Sequence, residues 1–159
     1  MASHECTVEW SRAGARFVDQ QYSRAHAWRF DGGAVVAASS SPHSVRVPLS
    51  DPAAVDPEEA LVAAVSSCHM LWFLSLAAQR GVVVDSYRDA AQGRMGAFAD
   101  GKRGIVEVLL RPEVRVAGDA PADGEIEALH HAAHERCDIA HSIRGDVRVQ
   151  GSWRAVDAN

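Results

Sequence analysis

Asp56-Pro57-Glu58-Glu59 opens a long segment of this chain in which apolar side chains fall at almost every position, and Gly81 closes it. Asp56 stands where a helix N-cap belongs. Pro57 sits at the first helical position, and two acids meet the positive end of the helix dipole. Gly81 supplies the left-handed conformation that ends helices. Between these stops, Leu61, Val62, Val65, Leu71, Trp72, Phe73, Leu74 and Leu76 leave no broad polar face, which predicts a helix buried on most sides. Ser66, Ser67, His69 and Ser75 interrupt the segment, so it reads as a core helix and not as a membrane span.

Such a helix needs cover, and the flanking sequence reads as strands. Trp28-Arg29-Phe30 and Ala34–Ala38 flank Asp31-Gly32-Gly33, a hairpin signal, and a second pair is expected through Val45-Arg46-Val47-Pro48. Beyond the helix, three strands are expected over Val82–Tyr87, Ala90–Phe98 and Gly104–Leu110, the last ending at Arg111-Pro112 before Val114-Arg115-Val116, and one more over Asp146–Trp153. Glu125–Cys137 carries Ile126, Leu129, Ala133 and Cys137 at helical spacing. The mixed order predicts an α+β fold.

The 159 residues fit one domain over 1–159, with 1–15 expected to be loosely ordered. A net charge of −5, with no run of Lys or Arg, argues against nucleic acid or an anionic membrane as partner. Met1-Ala-Ser-His-Glu-Cys6 is not a basic stretch followed by an apolar one, so a cytoplasmic location is expected. There, three cysteines point to chemistry or core packing before structural disulfides. No phosphate loop or serine elbow is present, and no cofactor is called for.

Cys68 lies in Ser66-Ser67-Cys68-His69 and Cys137 in His134-Glu135-Arg136-Cys137. Free cysteines are often plain core residues, but here the context is informative. The stretch from Pro57-Glu58 to Cys68-His69 resembles the signature helix of the OsmC/Ohr (osmotically inducible / organic hydroperoxide resistance) family, in which a Pro-Glu pair precedes a reactive cysteine by ten residues. His134-Glu-Arg-Cys137-Asp-Ile-Ala140-His-Ser142 resembles the family's second-cysteine segment. Tyr22-Ser-Arg24-Ala-His26-Ala-Trp28, Asp31-Gly-Gly33 and Val84-Asp85-Ser-Tyr87 are also similar to family features, in the same order.

The resemblance implies antiparallel β-sheets around a long buried central helix plus a second helix, in an intertwined homodimer. It implies an oxidative-stress peroxidase. Cys68 would attack an organic hydroperoxide, an arginine (Arg24 or Arg29, Arg24 preferred) would hold the thiolate, Glu58 would orient that arginine, and Cys137 would resolve the sulfenic acid. A dithiol, possibly of lipoyl type, would then reduce the disulfide. The chemistry agrees: an unperturbed thiol is mostly protonated at neutral pH, arginine keeps its charge, and a resolving thiol halts the oxidation ladder. On one straight helix Glu58 and Cys68 stand about 15 Å apart along the axis, too far for one arginine to bridge easily. Either the helix breaks, or the carboxylate comes from a partner chain.

Asp138 and His141 depart from the family pattern and imply a divergent branch, with Asp138 expected to disfavour a thiolate at Cys137. Blander roles compete for the other residues. Glu58 would serve only the helix dipole, Arg24 and Arg29 would be solvated strand residues, and Cys6 would be incidental. Two other functional classes are a zinc site of His130, His134, Cys137 and His69, and a non-catalytic pocket lined by Met70, Trp72 and Phe73 that takes a small apolar ligand.

Overall fold

The computed structural model describes residues 2–118 and 120–156, and the chain divides into two compact units, Met1–Ala60 and Leu61–Asn159. In the first unit, β1 (Cys6–Glu9), β2 (His26–Phe30) and β3 (Val35–Ala38) form an antiparallel sheet in that order. The β2–β3 turn follows the Asp-Gly-Gly signal: Gly33 takes φ 87°, and Asp31 Oδ1 accepts the Gly32 N–H at 2.8 Å. Cys6 lies in a strand that pairs along β2, within the stretch expected to be loosely ordered. Residues 45–48, expected to be a strand, form turns: the amides of Ser44 and Val45 both reach the Ser41 carbonyl, and Leu49 bonds back to Arg46. Pro48 has no amide to give a ladder, which disfavours a strand there.

The helix α1 (Pro57–Gln79) begins as its sequence dictates. Asp56 Oδ1 accepts the Glu59 N–H at 2.8 Å and Glu59 Oε2 accepts the Asp56 N–H at 3.3 Å, a reciprocal capping box. At the far end Gly81 adopts φ 78°, and the Val82 N–H donates to the Ala77 carbonyl at 3.0 Å. By length and mean hydropathy, 1.8, α1 could cross a membrane. It buries one stripe, Val65, His69, Phe73, Leu76 and Ala77, while Leu71 on the other side is 62% exposed. The expectation of burial on most sides is therefore corrected: all-round apolarity is present, but one face of it is uncovered in this chain.

Two sheets belong to the second unit. β4 (Val83–Asp89), β7 (Pro112–Ala117) and β9 (Ser152–Val156) form one; β5 (Gln92–Ala97), β6 (Arg103–Leu110) and β8 (Asp146–Val149) form the other. The pairs β4–β7 and β5–β6 are antiparallel, but β6–β8 and β7–β9 are parallel. The expected all-antiparallel sheets are thus mixed. The single strand expected over Asp146–Trp153 breaks at Gln150-Gly151, so that β8 runs beside β6 and β9 beside β7. A side chain at 151 has no room: a Cβ there would stand 2.7 Å from His130 Nε2.

The helix α2 (Glu125–His134) starts at Gly124, φ 76°, and buries Ile126, Leu129, His130 and Ala133. It ends before Cys137, which instead caps α3 (Asp138–His141). Phe73, Leu76 and Ala77 of α1 pack with Val114, Val116, Ile126 and Leu129 in one core, and Val65 packs with Val108 and Leu110 in a second.

Candidate functional site

Cys68 and Cys137, 69 positions apart in the sequence, are brought together as neighbours, close enough for the Cys68 thiol to act on that of Cys137. α1 presents Cys68 half-buried, and the short helix α3 fixes Cys137 at zero exposure. Cys137 Sγ accepts the Ala140 N–H at 3.4 Å, as an N-cap does, and its S–H points to the Val65 carbonyl at 3.9 Å. Burial, and then the neighbouring Cys68 thiol, push the Cys137 thiol up to about 11. This thiol is neutral at physiological pH because it is desolvated; Asp138, expected to be the cause, is exposed and plays no part. His141, the other departure, has a structural role, since its Nε2 lies 3.1 Å from the Glu135 carbonyl and ties α3 back to the end of α2.

Cys68 opens onto a groove of about 450 Å3 lined by Ala64, Ser67, Cys68, Leu71, Trp72 and Ser75. It runs along the uncovered face of α1. Of the expected ligand pocket, Trp72 belongs to this groove, whereas Phe73 is fully buried core.

The helix also carries Glu58, on its first turn and half-buried. Since α1 is continuous from Pro57 to Gln79, the separation of Glu58 from Cys68 is that of a straight helix, about 15 Å along the axis. The two expected arginines lie in the first unit, each with partners of its own. Arg24 donates to the carbonyls of Gln20 and Tyr22 and covers the Tyr22 ring at 3.8 Å from its centroid. Arg29 pairs with Glu9 at 2.5 Å on the β1–β2 ladder.

Behind Cys68, the next residue faces the core. His69 Nε2 lies 3.1 Å from His130 Nδ1, and His130 stacks on Phe73 with ring centroids 4.3 Å apart. Burial lowers both imidazoles to about 4; for His69, His130 and His134 push the same way, and Asp89 opposes them. The helical spacing allows for zinc ligands here, but among the described residues no group of three or more His, Cys, Asp or Glu is placed to hold a metal. His69 and His130 use nitrogens on each other, and Cys137 is spent on Cys68 and the α3 cap. Asp89 does different work: Oδ2 accepts from Ser66 Oγ at 2.5 Å and Oδ1 from the Arg111 N–H at 2.6 Å, which fastens α1 to the β4 and β7 ends. No local sequence signal marks Asp89, and His69 and His130 stand out in the sequence as zinc candidates and not as each other's hydrogen-bond partners, since each contact depends on a residue far along the chain.

A helix-borne thiol facing a second, buried thiol, on a helix packed against mixed sheets, defines a class of protein, and the comparisons agree with it. A family model described as OsmC-like protein matches residues 50–151, and the chain belongs to that family. An OsmC-like protein of unknown function from Vibrio cholerae is 49% identical, with a TM-score of 0.93 over 96% of this chain and 100% of that one. An OsmC-like protein from Mycoplasma pneumoniae (14% identity, TM-score 0.69, 98% of each chain) shares the fold. So does an organic hydroperoxide resistance protein from Elizabethkingia anophelis (14%, 0.66, 98% of each). No curated protein matches the sequence.

Proposed function

We propose that this protein is a thiol peroxidase that reduces organic hydroperoxides, with Cys68 as nucleophile and Cys137 as resolving thiol. The approach of the two thiols carries the reading, because neighbouring cysteines can form a disulfide with little rearrangement. The Cys68 thiolate attacks the distal oxygen of ROOH, the O–O bond breaks, and the alkoxide takes a proton and leaves as ROH. Cys68 is then a sulfenic acid. Cys137, kept as a neutral thiol, delivers sulfur to Cys68 and a proton to the departing oxygen; water leaves and the disulfide forms. A dithiol of lipoyl type returns both cysteines to the thiol form as it becomes a disulfide itself. The half-exposed position of Cys68 against the buried one of Cys137 fits this division of roles.

The active unit is a homodimer. Leu71 and the rest of the uncovered α1 face need cover, and Glu58 stands too far along α1 from Cys68 to serve it on the same helix. In the dimer, Arg24 (with Arg29 as the other candidate) and Glu58 reach the Cys68 of the partner protomer and hold its thiolate. A fully active monomer by light scattering would exclude this arrangement.

The catalytic reading is tested by counting thiols after one equivalent of cumene hydroperoxide. Wild type loses two thiols rapidly, Cys68→Ser loses none, and Cys137→Ser is over-oxidised at Cys68. Survival of every thiol in wild type would leave a non-catalytic, small-ligand-binding member of the family as the better account, with the Trp72 groove as its site.

A further inference from the structure

The β4–β7–β9 sheet turns one face to the core and presents polar side chains on the other. Along β7, Val114 and Val116 face inward and pack with α1 and α2, while Glu113 and Arg115 stand exposed on the opposite side. Ser86 and Arg88 on β4, and Ser152 and Arg154 on β9, are exposed as well. The register sets these residues in two rows across the sheet: Ser86, Arg115 and Arg154 in one, Arg88, Glu113 and Ser152 in the next. Both rows, with Val114 and Trp153, line a depression of about 500 Å3.

The rows differ in charge. In the second, Glu113 pairs with Arg88 at 3.6 Å. In the first, Arg115 and Arg154 are direct neighbours on strands about 4.8 Å apart, and among the described residues no carboxylate pairs with either. Like charges set side by side on a sheet destabilise it, and the core lies on the other face, so packing does not call for this pair. Two guanidinium forks flanked by the Ser86 hydroxyl supply the N–H and O–H donors that a doubly charged tetrahedral oxyanion accepts. A bound dianion also removes the repulsion between the two cations, which a singly charged carboxylate relieves only in part. The depression is larger than a phosphate ion, and its remainder, beside Ser152 and Trp153, has room for an organic body.

We propose that Ser86, Arg115 and Arg154 form a binding site for a phosphate monoester, separate from the Cys68 groove, with the phosphate between the two guanidiniums and the organic part over Ser152 and Trp153. The site does not rest on the peroxidase reading, and either can fail alone.

Phenyl phosphate is the probe, with benzoate as its carboxylate counterpart, both titrated calorimetrically at low salt. Wild type binds phenyl phosphate roughly tenfold tighter than benzoate, and added salt weakens the binding. Arg115→Ala and Arg154→Ala each raise Kd for phenyl phosphate roughly tenfold, the loss of one charge-assisted contact. Arg115→Lys and Arg154→Lys recover part of that loss, since each keeps the charge without the fork. Arg80→Ala removes an exposed cation outside the depression and leaves Kd unchanged. Amide resonances of isotope-labelled wild type give a reading that needs no variant: phenyl phosphate shifts Ser86, Arg115 and Arg154 and leaves Ser67 and Cys68 in place. No saturable binding, shifts confined to the Cys68 groove, or equal weakening in Arg80→Ala and the two site variants would overturn the site and leave the peroxidase untouched. Benzoate binding as tightly as phenyl phosphate would overturn the phosphate assignment.

Discussion

His69 Nε2 lies 3.1 Å from His130 Nδ1, in a buried contact between α1 and α2 that leaves His69 Nδ1 and His130 Nε2 without partners among the described residues. One ring must donate and the other accept, so the contact exists only while at least one imidazole is neutral. Two cations at that distance inside a core would repel each other with no solvent to screen them.

A pH dependence of stability follows. Both imidazoles are lowered from 6.5 to about 4 in the folded chain. The stability they contribute is full above pH 6.5 and is lost as pH falls toward 4, because unfolding takes up protons across that window. The slope approaches roughly 1.4 kcal/mol per pH unit for each histidine. Urea midpoints measured from pH 7.5 to 4.5 should fall steeply in wild type and about half as steeply in His130→Gln. Parallel curves for the two proteins would show that the pair is not the cause.

Cys137 should be the slowest thiol in the folded protein. Burial holds it near 11, so at pH 8 almost none is thiolate, and no reagent reaches its sulfur. Iodoacetamide labelling followed by peptide mass analysis should modify Cys6 and Cys68 within minutes and Cys137 only after denaturant is added. Early labelling of Cys137 would mean that α3 opens readily.

Gly151→Ala should destabilise the chain by about 1–3 kcal/mol through overpacking. Its Cβ would stand 2.7 Å from His130 Nε2, 2.8 Å from His130 Cδ2 and 3.4 Å from Pro112 Cγ. A thermal melt reads the loss as a lower Tm. The double variant Gly151→Ala/His130→Ala should lose less than the sum of its single variants, since the shortened side chain removes the collision. Strict additivity would place the strain elsewhere.

Much of the fold was legible one residue at a time. Asp56, Pro57, Glu59 and Gly81 fix the ends of α1 because caps act within a few residues, and Asp31-Gly32-Gly33 fixes a hairpin for the same reason. The order of strands and helices, and the two cysteine segments, also followed from local pattern and resemblance. Expectation and structure part over residues 45–48 for a local reason and over residues 146–153 for a distant one. Val45–Pro48 has strand-like residues but turns on Ser41 and Arg46, and residues 146–153 alternate without a break yet divide between two sheets because β6 and β7 claim different halves.

The sequence by itself determined where α1 starts and stops, which class of fold the elements join, and that Cys68 and Cys137 are the residues to follow, since these rest on local conformational preference and on the resemblance of short segments. Tertiary structure alone decided that α1 buries one stripe and leaves Leu71 and Trp72 beside an open groove, that β8 and β9 pair in parallel with strands far away in sequence, that His69 turns to His130, and that Arg115 stands beside Arg154. Each is a contact between residues remote along the chain, and apolar pattern specifies that a face will be buried without specifying what will cover it.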